Sequence, residues 1–322
     1  MDEKKIKQIS TIGPRAAIGL HMLELASSNK NLIVLTSDVS SSAGLSRFTK
    51  KFENQYIDVG IAEQNLIGVA AGLASEGFDV VTTTFAPFQT IRCCEQIRVN
   101  LGYMKIKVVM IGLASGLVLG PLGFTHCCIE DIAMMKSIPN LCVVSPADSF
   151  ETLKAIEAAL EYPSSVYIRI TGGSNNPIIY EKDYNFEIGK PIKIREGNDI
   201  CIFANGAILN EALGAASILE KENIQCTVVN VHTLKPLNER YFEEYFSNKK
   251  LLVSIEEHNV IGGLGTSISD LMSNSSRSTA NLLKIGINDN YDFHGDYNHL
   301  KVKYKLTASQ IAETILKQLN KS

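Results

Sequence analysis

Positive charge is not in excess in this chain. Its 31 Lys and Arg are outnumbered by 34 Asp and Glu, giving a formal charge of −3 over 322 residues. The cations are dispersed, with no basic stripe and no aromatic interleaving, so nucleic acid is not an expected partner. Any anionic ligand must then be held by a few placed donors rather than by a general field. Long apolar runs are lacking too. Val108 to Phe124 carries no charge but is interrupted by Gly112, Gly116, Gly120, Pro121 and Gly123. It falls short of the roughly 20 residues a spanning helix needs. It reads as a buried strand entering a glycine-rich loop, and no membrane association is expected. The charged start Met1-Asp2-Glu3-Lys4-Lys5 leads into no apolar core of a secretory signal. The seven cysteines include the adjacent pairs Cys93-Cys94 and Cys127-Cys128, and none has zinc-site or redox-dithiol spacing. The six histidines are scattered. Reduced thiols in a cytoplasmic protein, with no metal ligated by this chain, are the expectation.

The composition, 45% hydrophobic and 20% charged, is that of a globular chain long enough for two moderate domains. Strand-length apolar runs recur at Leu32 to Leu35, Val80 to Thr84, Val108 to Ile111, Leu141 to Val144 and Val166 to Ile170. Helical patterns, such as Ile61 to Ser75 and Ser149 to Leu160, lie between them. Thr171 to Pro177 is a cluster of turn-formers, followed by a polar stretch to about Glu196. A second alternation follows, with strands at Asp199 to Phe203, Gln225 to Val231 and Leu251 to Ile255, and helices at Ile208 to Glu222 and from Gly262. Short buried strands alternating with helices predict an α/β fold of two doubly wound domains, each with a mainly parallel sheet covered by helices. The expected division is a first domain over 1–180, a linker over 181–196 and a second domain over 197–322.

Three segments carry chemistry. In Asp58 to Ala74 a glycine turn delivers Glu63 into the first turn of a helix of small residues. An acid there is favourable in any helix, and glycines also permit close packing. Val80 to Thr84 runs into Phe85 and Phe88 around Pro87, before an expected helix containing Arg92, Glu95, Gln96 and Arg98. Gly120-Pro121-Leu122-Gly123-Phe124-Thr125-His126 then leads into Ile129-Glu130-Asp131-Ile132-Ala133.

This ordered set resembles the pyrimidine-binding and C-terminal domains of the transketolase family, over nearly the whole chain. The resemblance implies thiamine diphosphate as cofactor. In that family a glutamate at the position of Glu63 bonds N1′ of the aminopyrimidine and favours the imino tautomer, whose nitrogen removes the thiazolium C2 proton. Phe88 matches the aromatic that packs on the pyrimidine, with Phe85 beside it, and Asp38 matches an aspartate near the cofactor that could equally cap a helix. His126 sits where the family places a histidine facing the sugar, while Thr125 serves the turn. Arg15, Ser42 and Arg169 fall near positions that hold the sugar phosphate, a group that guanidinium bonds well. The Glu256-Glu257-His258 to Gly265 segment is assigned to packing and the subunit interface.

Departures narrow the expectation. Leu122 stands where many transketolases carry an aspartate contacting the donor's C2 hydroxyl, and Ile91 replaces a tyrosine. The Gly-Asp-Gly and downstream asparagine that hold Mg²⁺ and diphosphate are missing. The resemblance therefore implies a split enzyme, a transferase of ketol units between sugars or sugar phosphates that is active only with a partner. That N-terminal subunit would carry the diphosphate site and the Mg²⁺ ligands, in an α2β2 assembly. Alternatives are a subunit like deoxyxylulose-phosphate synthase or a 2-oxo acid dehydrogenase β subunit, using a 2-oxo acid donor, or a noncatalytic scaffold of the same fold.

Overall fold

The computed structural model describes residues 1–173, 176–275 and 280–321. Ser174 and Asn175, within the expected turn cluster, lie outside them. The strands are β1 (Leu32–Thr36), β2 (Tyr56–Asp58), β3 (Asp79–Phe85), β4 (Val109–Leu113), β5 (Leu141–Val144), β6 (Ser165–Arg169), β7 (Ile192–Arg195), β8 (Ile200–Ala204), β9 (Cys226–Asn230), β10 (Thr233–Lys235), β11 (Leu251–Asn259) and β12 (Leu282–Ile287). They form two sheets, ordered β10-β5-β6-β4-β3-β1-β2 and β12-β11-β8-β9-β7. Pairing is parallel except at one edge of each, where β10 and β7 run antiparallel. Two α/β units with mainly parallel, helix-covered sheets are thus observed as expected. The stretch expected as linker contains β7, and β10 crosses from the second half of the chain to extend the first sheet.

Side-chain alternation explains the layers. Val34, Val81, Val109, Ile111, Val166 and Ile168 pack on one face of the first sheet, against Ile18, Met22 and Ile156 of the helices Pro14–Ser28 and Ser149–Glu161. Ile33, Leu35, Val80, Met110 and Val143 face the other way, into a core continuous with Phe203, Val229 and Leu252 of the second sheet. Each such Val, Ile or Leu contributes roughly 1.5–3 kcal/mol relative to exposure. Among the described residues no helix is long and apolar enough to cross a membrane.

The helix expected to carry Arg92 to Arg98 is not regular. Arg92 lies in a turn, Cys94–Gln96 makes one short helical turn, and Ile97–Tyr103 winds as a wide π-helix. Gly102 shows why the chain packs closely there: a Cβ would meet Ile138 Cγ2 at 2.8 Å. Such widened turns commonly occur at functional sites.

Candidate active site

The loops at the carboxyl ends of the first sheet's strands converge, as in other parallel α/β sheets. After β2, Asp58 Oδ1 accepts the amides of Asp38 and Gly60, each at 2.9 Å. Burial pushes the Asp58 carboxyl up, but these amides, with Tyr56 and Thr36, hold it below the usual range. The pinned turn starts the helix Glu63–Ser75 with Glu63 as its first residue. Glu63 is only 5% exposed. Its Oε1 accepts from Arg92 Nη1 at 2.9 Å.

Phe88, in the short helix Ala86–Gln89 after β3, lies under the same guanidinium, whose central carbon is 3.9 Å from the ring centroid. Phe85 and His126 approach this ring edge-on, at 6.4 and 5.3 Å between centroids. His126 comes from the loop after β4. That loop is closed at its base by paired backbone bonds between Gly116 and Cys128 of 2.8 and 2.9 Å. Thr125 Oγ1 donates to the Leu122 carbonyl at 3.1 Å and shares a 2.9 Å bond with His126 Nδ1. Leu122 is 57% exposed on this turn. Cys93, beside Glu63, is no nucleophile: burial, then the charge of Glu63, pushes its thiol up to about 12.

Arg15 and Ser42 are brought together in a cleft of about 530 Å³, with Ser41, Gly172 and Gly173 on its walls. Gly44 makes this possible. It has φ 76°, and a Cβ there would lie 2.2 Å from the Arg15 carbonyl oxygen, so the serine loop lies directly on the start of the helix Pro14–Ser28. Ala114, Val118 and Leu119, from the base of the His126 loop, form another wall. Asp38 is exposed, in a left-handed turn at φ 56°, and no helix follows that it could cap.

Arg169 is a correction. Expected to hold a phosphate, it is instead wholly buried. Its Nε donates to Asp131 at 2.9 Å, and its Nη2 to the carbonyls of Glu257 and Cys128 at 2.9 and 3.3 Å. Its Nη1 is buried as well and has no partner among the described residues, so the guanidinium does not open onto the Arg15 cleft. It ties the first sheet to the end of β11, and removing one member of such a buried pair costs roughly 3–5 kcal/mol.

Sequence reasoning passes over two features. It places Arg92 only within a helix, although a cation four residues after Phe88 is a usable signal. It gives Glu257 to packing, yet Glu257 Oε1 accepts the Leu117 amide at 2.8 Å and Oε2 the Tyr297 hydroxyl at 2.6 Å. Glu257 therefore braces the His126 loop from the second unit. Two acids closing the apolar run Leu251 to Ile255 are the signal. Chemically, the site offers an enclosed carboxylate beside an aromatic face, which can hold a flat, nitrogen-bearing ring. Among the described residues no group of three or more His, Cys, Asp and Glu side chains could hold a metal.

Known proteins share this architecture. The family model "Transketolase, pyrimidine binding domain" matches residues 10–175, and "Transketolase, C-terminal domain" matches residues 189–311. A putative transketolase C-terminal section from Methanocaldococcus jannaschii is 36% identical over 311 residues, 96% of this chain and 97% of its own length. A subunit of the apulose-4-phosphate transketolase from Phocaeicola vulgatus is 32% identical, over 93% of this chain and 95% of its own. A solved structure described as a split gene transketolase, inactive beta4 tetramer, superposes with a TM-score of 0.85 at 35% identity, covering 96% of this chain and 98% of the other.

Proposed function

The chain belongs to the transketolase family, and from that premise we propose that it is one subunit of a split thiamine-diphosphate enzyme transferring a two-carbon ketol unit between sugars or sugar phosphates. The observation that carries this reading is that His126, and Glu63 through Arg92, meet at the Phe88 ring at the carboxyl ends of the first sheet. When bound, the cofactor supplies the carbon nucleophile that accepts the ketol unit.

Glu63 shares a proton with the ring nitrogen, Phe88 carries the ring face, and Phe85 flanks it. The fit is supported by a flat N–H-bearing plate already seated there, the Arg92 guanidinium. His126 reaches toward the sugar, and Arg15 with Ser42 takes its anionic end. Asp38 stands near the cofactor on the loop fixed by Asp58. Leu122 offers no polar contact, which favours a donor that does not depend on a carboxylate at that point.

The diphosphate and Mg²⁺ are held by a second chain, in an α2β2 assembly. One relative is named as a single subunit of its transketolase and another is described as an inactive β4 tetramer, and both descriptions suit a chain that needs a partner. The test is reconstitution. The chain alone should show no ketose cleavage, and adding the partner chain, thiamine diphosphate and Mg²⁺ should restore it. Glu63→Ala should lower kcat of the mixture by roughly 10³-fold, within the range for a proton-transfer group. Turnover by the isolated chain would sink the split-enzyme reading. Pyruvate decarboxylation in place of ketose cleavage would move the assignment to a 2-oxo acid donor.

A further inference from the structure

Arg92 makes both contacts that the proposed function reserves for the cofactor ring. Its Nη1 donates to Glu63 Oε1 at 2.9 Å, and its guanidinium lies on Phe88 with the carbon 3.9 Å from the centroid. A guanidinium is a flat plate edged with N–H groups that stacks on aromatic faces. A protonated aminopyrimidine is also flat, presenting an N–H edge to a carboxylate and a face to an aromatic. Both plates need the same acceptor and the same ring.

The energetics explain why such a plate is there. A carboxylate as enclosed as Glu63 is costly without a partner, and Arg92 supplies the counter-charge. Cys93, close enough to feel the Glu63 charge, is a thiol that burial keeps neutral, and it cannot do so. The pair is also lopsided. Glu63 is fixed in the first turn of its helix, whereas the Arg92 side chain is 42% exposed and has open solvent to move into. Its backbone stays anchored meanwhile, because the Arg92 carbonyl accepts from Gln64 Nε2 at 3.1 Å.

Chemistry then separates a placeholder from a permanent helper. A guanidinium left on Glu63 Oε1 occupies the acceptor with which the ring nitrogen must share its proton. We propose that Arg92 is a built-in placeholder, occupying the aminopyrimidine position on Glu63 and Phe88 until the cofactor displaces it. Cofactor entry is then an exchange of one flat cation for another, and Glu63 is never left buried and alone.

This inference rests on the functional reading above, and its test separates the two. Thiamine diphosphate is titrated with Mg²⁺ into the complex of this chain with its diphosphate-binding partner, and affinity is read by calorimetry. If the wild-type site is open in about one molecule in ten, Arg92→Met should bind about tenfold more tightly, because apparent affinity falls with the open fraction. Arg92→Gln, which keeps a planar donor without charge, should fall between the two. Unchanged or weaker binding in Arg92→Met, with the melting curve of the chain preserved, overturns the placeholder and leaves Arg92 a permanent neighbour of Glu63. If in addition Glu63→Gln is inactive, only the placeholder has failed. Full turnover by Glu63→Gln would instead remove the functional reading itself, and the placeholder with it.

Discussion

Leu122 and His126 share one turn, and the contrast between them sets the residue-scale chemistry. Leu122 is exposed and apolar, so it can shape the entrance but cannot bond a hydroxyl. His126 is half-buried, edge-on to Phe88, and oriented through Thr125. In the proposed reaction it meets the sugar rather than the cofactor. His126→Ala should therefore lower kcat/KM for the donor by roughly a hundredfold while cofactor affinity stays within about twofold of wild type, where a factor of ten corresponds to 1.4 kcal/mol. Steady-state kinetics beside a calorimetric titration would check the split. A parallel loss of cofactor affinity would mean that the histidine supports the ring instead.

At the scale of elements, the loop from Gly116 to Cys128 shows how a flexible-looking run is fixed. Its glycines and proline limit it to 3-10 turns over Gly120–Thr125, broken at Gly123, yet its base is zipped by the Gly116–Cys128 pair and held by Glu257 from β11. Phe124 adds a ring contact to Tyr291 at 4.7 Å, and the Tyr291 hydroxyl donates to Glu130. Gly116 has φ 69°, and a Cβ there would sit 2.2 Å from Glu257 Oε1. Gly116→Ala should then cost about 3 kcal/mol from backbone strain and overpacking together, measured by urea unfolding. Loss of donor turnover should accompany it. Full stability would show that the Glu257 side chain can move aside.

For the whole molecule, the important feature is that the two sheets are not separate. The chain leaves β9, passes through His232, and pairs as β10 with β5, while Ser145 donates its amide to the His232 carbonyl at 2.7 Å. Burial lowers the His232 pKa from 6.5 to about 4. Its folded form is neutral, so between these values the unfolded chain binds more protons. The stability it contributes is present above pH 6.5 and is lost as pH falls through 4. The loss amounts to up to about 3 kcal/mol at 1.36 kcal/mol per pKa unit. His232→Gln should flatten this part of the stability curve, read from urea midpoints at pH 7 and pH 4.5. A variant whose acid sensitivity matches wild type would place the loss elsewhere.

The sequence by itself determined the alternation of elements and the order of the motifs. Those follow from local pattern: β-branched apolar runs such as Val80 to Thr84, and glycine turns before Glu63 and His126. Burial and partnership are long-range quantities, and these only the tertiary structure decided. Arg15 and Arg169 are both arginines beside a turn. One faces an open cleft and the other is enclosed by Asp131 and the carbonyls of Glu257 and Cys128, because only Arg169 lies where the second sheet closes over the first. Arg92 is the same lesson reversed. A residue read in the sequence only as part of a helix became central when the irregular turn after Phe88 set its cation against a buried carboxylate 29 positions away.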